Sequence, residues 1–508
     1  MSLSNINNHL KRMKINSIKL ALLSILTLSS CSDSFLDTVP TDTYNEENFW
    51  KTEAHVVSAI NGCYAVTRGY KDYKLNLDNI SPNSYNQSGQ IQLAEGKHDA
   101  GNDDWFNSIW KLNYQGVGRV NNLLANIEPV NMDAALKKRI TGEALFLRAL
   151  FYFDLANYFG GVPLILDGPS LEEQGKLPRN KQSEVLSQIL TDLTNAAAAL
   201  PVSYSGADKG RATRGAALAL KARVLLHESR WAEAAQSAKE VMQLNYSLFA
   251  DYRQLFMIAN EGNPEVIFDV QFAAPDYVHG WNLTLDLQLN VAPLPDLVNS
   301  YLMKDGLPSD TSPLFNAAKP YENRDPRLLK TIAMPGYQFK GVTVSDTKYY
   351  STGFGYKKYT TYEDDTKYAS DVTNSALNFI VLRYADVLLM YAEAQNEAVG
   401  AEASVYEALN KIRKRAGMPD VTPGLSKDDL RKVIRLERRI ELAGEGLYYD
   451  DIRRWKTAEV VMNTKAYNSK GTVIQTRSFN RDRDYLWPLH SIVIEQNPAL
   501  EQNPGYSK

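Results

Sequence analysis

The residues able to do covalent chemistry are few and scattered. The six histidines, His9, His55, His98, His227, His279 and His490, are spread over 508 residues, and His9 lies in an N-terminal targeting stretch. The chain contains no G-x-S-x-G elbow, no H-E-x-x-H helix, no phosphate-binding loop and no cysteine cluster. No cofactor or metal site is therefore expected. A carboxylate pair for glycoside hydrolysis leaves no fixed trace in a sequence, so a glycosidase stays open on this ground alone.

The chain does carry aromatic rings beside amides and carboxylates. There are 29 Tyr and 7 Trp. Sugars present C–H faces and hydroxyl edges, and a site for them needs flat rings next to hydrogen-bonding groups. Tyr73, Asp78, Asn79, Tyr85 and Trp105 supply this in one polar, irregular stretch. Tyr277, His279, Trp281 and Asn282 supply it in a second, and Tyr349, Tyr350, Phe354 and Tyr356 in a third. Core packing is the competing reading for each ring. Pro275, Asp276 and Gly280 read as a loop tip, so Trp281 and Tyr277 are expected to be exposed and to lead the site.

Helices must position these stretches. Helical spacing of apolar residues predicts helices over 137–158, 184–200, 212–226, 231–244, 383–399, 404–416 and 427–443. The first ends at Gly160, Gly161 and Pro163, a strong stop. The pair 212–244 has the small-residue spacing of a tetratricopeptide-like hairpin, although the repeats are degenerate and not tandem. From 251 to 375 the chain is rich in Pro, Gly, Asn and Tyr, with short strand-like runs such as 266–270. Residues 76–105 are read as similarly irregular. Long irregular stretches with regularly placed aromatics are expected to be functional.

The N-terminus is specific. Lys11, Arg12, Lys14 and Lys19 precede the short apolar run 20–28, which ends in Leu28, Ser29, Ser30 and Cys31. A basic region, a run too short to span a bilayer and small residues before a cysteine make a lipoprotein signal, with Cys31 as the acylated first residue of the mature chain. Met13 to Cys31 is already a complete signal of this kind. Residues 38–43 suit a tether. With Cys31 lipidated, Cys63 has no partner and is expected as an inert buried thiol. The formal net charge of −3 gives no overall pull toward nucleic acid.

Charged residues also fall on the helices. Arg383, Asp386 and Glu393 share a narrow arc of an otherwise apolar helix, and buried charges need partners. The run Arg435, Glu437, Arg438, Arg439 and Glu441 can supply them. Mixed signs on scaffold helices read as a structural salt-bridge network rather than an acid–base site. Leu430, Val433, Ile434 and Ile440 share the face that docks this charged helix on the body.

Several segments resemble the SusD/RagB family in an ordered set: 31–40 (CSDSFLDTVP), 143–163 (EALFLRALFYFDLANYFGGVP), 383–397 (RYADVLLMYAEAQNE), 408–418 (ALNKIRKRAGM), 437–455 (ERRIELAGEGLYYDDIRRW) and 485–506, ending QNPGY. Tyr448 departs from the pattern, which has Arg there. The resemblance implies a mostly α fold, with tetratricopeptide-like helix pairs as scaffold plus irregular loops and a few short strands. It implies residues 1–30 as signal peptide and 31–508 as one domain, with an N-terminal helical part (31–250), a loop-rich ligand-facing part (251–380) and a C-terminal helical part (381–508). It also implies a lipid-anchored protein of the outer membrane, facing outward, partnered by a TonB-dependent β-barrel importer and without catalytic residues. Its ligand would be a glycan or, in the RagB branch, a peptide.

Overall fold

The computed structural model describes residues 49–88, 91–167, 171–366 and 373–507. Cys31 and the stretch 38–43 lie outside them. Helix α1 (Glu53–Val66) begins where the Thr52 hydroxyl accepts the His55 N–H. Helices α2 (Asp104–Asn126) and α3 (Ala134–Phe159) begin at Asp103 and Asp133, each of which accepts an N–H of the first turn. Helix α3 stops at Gly160, whose φ of +77° is left-handed, and the next residue must also be glycine because a Cβ on Gly161 would lie 2.2 Å from the Asn180 carbonyl oxygen. Helices α4 (Gln182–Ala199), α5 (Arg214–His227) and α6 (Trp231–Met242) follow. After the excursion 243–383 come α7 (Tyr384–Ala398), α8 (Ala403–Ala416), α9 (Lys427–Glu441) and α10 (Tyr448–Arg454).

From α1 to α8 each helix packs on the next, and α7 also packs on α9. In the α5–α6 hairpin Ala219, Ala222, Ala234, Ala235 and Ala238 are buried. Their small volume brings the helices close enough for Ser237 Oγ to donate to the Leu218 carbonyl at 2.9 Å. The fold is mostly α, with helix pairs as scaffold and few short strands, as the sequence implied. Cys63 is buried, and burial pushes its thiol up to about 12, so it stays protonated and unreactive. Among the described residues no helix is long and apolar enough to cross a membrane.

One region differs from expectation. Residues 76–105 are not wholly irregular: Leu75–Ile80 forms a 3₁₀ turn, Ile91–Ala94 a helical turn, and Trp105 belongs to the long helix α2. Three buried asparagines, Asn107, Asn113 and Asn121, dilute the apolar stripe of α2. Two of them are satisfied by backbone, Asn113 Nδ2 on the Ile109 carbonyl and Asn121 Nδ2 on the Ile165 carbonyl.

Short antiparallel ladders organise the excursion. Val266–Val270 pairs with Phe379–Arg383, which closes the loop-rich middle at its base. Ser84–Tyr85 pairs with Ala292–Pro293, which ties the two irregular stretches together. Lys465–Tyr467 and Val473–Thr476 form a hairpin near the C-terminus.

The charged residues form the expected buried network. Arg383 ends a strand and caps α7 rather than lying within it. Its guanidinium bonds Glu265 at 2.8 Å, Glu441 at 2.7 Å and both oxygens of Glu445 at 2.7 and 2.8 Å. Asp386 takes Arg223 and Arg438, and Glu393 takes Arg454 and the Trp455 indole. Burial opposes ionisation of Glu441, but Arg415, Arg383 and Arg327 hold its carboxyl far below the usual range. At the departing position, the Arg439 guanidinium sits 4.6 Å over the Tyr448 ring, a cation–π contact in place of an ion pair.

Candidate functional site

The Ser84–Tyr85 ladder has a cleft at one end, of about 370 Å³, lined by Lys71, Asp72, Asn76, Asn86, Ser88, Trp281, Thr284 and Asn290 among others. One wall is built by the 3₁₀ turns Thr67–Asp72 and Leu75–Ile80. The facing wall is a π-helical turn, Leu283–Leu287, a rare element often found at functional sites. The Thr284 carbonyl accepts the Asn290 N–H at 2.9 Å and the Gly280 carbonyl accepts the Thr284 N–H at 3.0 Å, so this wall is internally braced.

Trp281 forms the floor. It is buried, contrary to the loop-tip expectation, among Phe272, His279, Tyr359 and Phe379, and its Nε1 donates to the Lys71 carbonyl at 3.1 Å. The flanking Pro and Gly do make a turn, but the turn folds inward onto the strand Phe379–Arg383. His279 beneath it donates from Nε2 to the Leu377 carbonyl and accepts the Trp281 N–H on Nδ1. Burial pulls that imidazole down to about 4, so it is neutral and serves as a brace.

The other sequence candidates divide. Tyr73 is buried and donates to Asp154 at 2.5 Å. Asp78 is buried and accepts the N–H groups of Gly444 and Gly446. Asn79 is buried and donates to the Asn290 carbonyl at 2.8 Å, and Asn282 is buried in a reciprocal pair with Thr361. Trp105 packs against Trp487 on the helical body. Tyr349, Phe354 and Tyr356 are also buried. Each of these groups is engaged by internal hydrogen bonds or by packing. Tyr85 is half-buried within the ladder itself, and Tyr277 is 50% exposed with the Arg68 guanidinium 3.7 Å over its ring. Tyr350 is 65% exposed, and its hydroxyl accepts from Gln87 Nε2 at 2.8 Å, which brings the third aromatic stretch beside the first.

Sequence reasoning missed Asn76, Asn86, Ser88, Thr284 and Asn290. The run 83–88 (NSYNQS) held a signal, a cluster of short amides and hydroxyls around one tyrosine. The cleft can donate and accept hydrogen bonds through three amides and two hydroxyls over an indole floor. Among the described residues Asp72 is the one carboxyl in its lining, raised by partial burial while Lys71 opposes the shift. Glycoside hydrolysis needs two carboxyl groups across the bond, and among the described residues this lining offers no second.

Comparison with known proteins gives a consistent picture. Residues 264–506 match the SusD family, and residues 34–226 match a family described as starch-binding and associating with the outer membrane. A SusD-like protein P2 from Formosa agariphila is 28% identical over 98% of this chain and 100% of its own. The crystal structure of a SusD-like protein from Bacteroides fragilis is 31% identical, with TM-score 0.80, covering 92% of this chain and 100% of that one. A SusD-like carbohydrate binding protein from the same species is 29% identical, with TM-score 0.82, covering 89% of this chain and 100% of that one.

Proposed function

The chain belongs to the SusD/RagB family, and from that premise we propose that it captures oligosaccharides at the outer membrane without altering them chemically. The observation that carries this reading is the cleft beside the Ser84–Tyr85 ladder. Its volume of about 370 Å³ lies within the range of small-molecule sites, and its lining is rich in amide and hydroxyl groups over an aromatic floor. Such groups match sugar hydroxyls, and the single carboxyl among the described lining residues does not make a hydrolytic pair. The carbohydrate-binding description of the Bacteroides fragilis relative supports the same ligand class.

In this reading the lipid on Cys31 holds the protein to the membrane, and a TonB-dependent barrel receives the captured glycan. The signal-like N-terminus and the full-length family match support both. Calorimetric titration of the purified protein with neutral oligosaccharides and with mixed peptides tests the ligand class. Glycan binding weakened roughly tenfold by Asn86→Ala or Asn290→Ala is expected. Binding of peptides alone would overturn the glycan reading. Release of reducing ends from a bound glycan would overturn the non-catalytic one.

A further inference from the structure

A second cleft, of about 460 Å³, opens at the other end of the same ladder, where Pro82 and Pro295 flank it. Its far wall is the hairpin Lys465–Tyr467 and Val473–Thr476, docked by the Ser469 N–H on the Thr352 carbonyl at 2.7 Å. Two rings border it. Tyr321 is half-buried against Phe354, and Tyr467 is 45% exposed. Asn299 and Asn468 add amides.

The cleft holds charges of both signs, with cations in the majority. Arg477 forms part of its wall and is 3% exposed. Its guanidinium donates to Gln475 Oε1 at 3.0 Å, to the Ser84 carbonyl at 2.6 Å, to the Asn79 carbonyl at 3.3 Å and to the Ser81 carbonyl. Every one of these acceptors is neutral. Burial pulls Arg477 down to about 10, so it remains charged at neutral pH. The cleft's own acid, Asp296, is engaged by Arg439 at 2.5 Å. Lys465 at the rim makes no ion pair among the described residues. Among the described residues neither Arg477 nor Lys465 is hydrogen-bonded to a carboxylate, although the nearby Asp296 favours the charged form of Arg477; buried Arg324 is likewise held by backbone carbonyls, whereas Arg327, Arg383 and Arg438 bond carboxylates directly. A buried guanidinium whose hydrogen-bond partners are all neutral gains further from an anion brought within reach.

We propose that this second cleft binds an anionic sugar residue, bearing a carboxylate or a sulfate, with Tyr321 and Tyr467 as stacking rings and Arg477 and Lys465 as its counter-charges. The inference rests on the reading of the chain as an oligosaccharide binder but names a separate site and a ligand class.

The test is calorimetric titration of the purified protein with trigalacturonate, with a sulfated galactose tetrasaccharide and with neutral maltotetraose. At least one anionic probe is expected to bind more weakly as salt rises, and which one binds separates carboxylate from sulfate. Tyr467→Ala should weaken that binding roughly tenfold and Lys465→Gln about threefold, with unchanged thermal melts because both side chains are exposed. Arg477→Gln should abolish it. If that variant melts early, the two exposed variants decide. Failure of both anionic probes to bind overturns the proposal, as does binding that Tyr467→Ala and Lys465→Gln leave intact. Loss of anionic binding in Asn86→Ala with Tyr467→Ala unaffected would put the ligand in the first cleft and also overturn it. Failure of neutral glycans alone would count against the first cleft and leave this one standing.

Discussion

The indole Nε1 of Trp281 donates to the Lys71 carbonyl oxygen at 3.1 Å, which makes the floor of the first cleft and one of its walls a single hydrogen-bonded unit. Because the ring is buried among four other aromatic side chains, Trp281→Ala is expected to cost ~3–5 kcal/mol of stability. Ligand binding should fall with it as the wall relaxes. Trp281→Phe, which keeps a ring but leaves the Lys71 carbonyl without its donor, should cost less. Thermal melts and titrations on both variants check this. An unchanged melt for Trp281→Ala would show that the ring is not core.

Tyr350 is the opposite case. Its ring is 65% exposed, and among the described residues Gln87 alone holds its hydroxyl. Tyr350→Ala should leave the melting temperature alone and weaken glycan binding about fivefold, since losing one stacked aromatic face is worth ~1 kcal/mol. Equal affinity of wild type and variant for every bound glycan would mean that ligands do not reach this ring.

Arg383 bonds three carboxylates in a dry setting. Arg383→Ala strands those acids and is expected to destabilise the fold by ~3–5 kcal/mol. Arg383→Lys should recover little, because an ammonium cannot reproduce the two-pronged contact with Glu445. Urea denaturation of the two variants provides the measurement, and a lysine variant as stable as wild type would contradict this account.

Asp78 sets a pH dependence. Burial pushes its carboxyl from 3.8 up to about 7, against the opposing N–H bonds from Gly446 and Gly444. Between those values the unfolded chain gives up the proton while the folded one keeps it. The group's contribution to stability is therefore fully present below 3.8 and is lost as pH rises toward 7, at up to ~1.4 kcal/mol per pH unit. Asp78→Asn keeps an acceptor for the glycine amides and cannot ionise. Its stability relative to wild type should climb from about pH 4 to about pH 7 and then level off, as read from denaturant midpoints across that range. A difference that stays constant with pH would remove Asp78 as its source.

Anchoring is expected to depend on Cys31. Cys31→Ala should release the protein from the membrane fraction or leave it unprocessed, as read by fractionation and mass spectrometry. A variant processed and retained like wild type would refute lipid attachment there.

Much of the scaffold was legible in the sequence. The stop at Gly160 and Gly161, the alanine spacing of the α5–α6 hairpin and the helices around 384–398 and 427–441 follow from local rules, because capping and helical periodicity act over a few residues. The charged residues of α7 and α9 could be read as a network for the same reason, since like patterns on apolar helices must find opposite charges. Of helix α2 only its start at Trp105 fell in a stretch read as irregular, and its buried Phe106, Ile109, Trp110, Val117 and Val120 are helically spaced.

The site was only half legible. The sequence put forward stretches around 73–105, 277–282 and 349–356, parts of which border the candidate cleft, and a chain with no nucleophile or metal motif was read as a binder. Which side chains face the cleft was decided by tertiary structure. Trp281 and Tyr277 stand four residues apart in one turn, yet the first is sealed under Phe379 and the second lies in solvent. Asp78 and Asn86 both carry short polar groups, yet one caps two glycine amides from a distant loop and the other lines the cleft. Local sequence sets the conformation of a turn, whereas burial depends on what residues hundreds of positions away place against it.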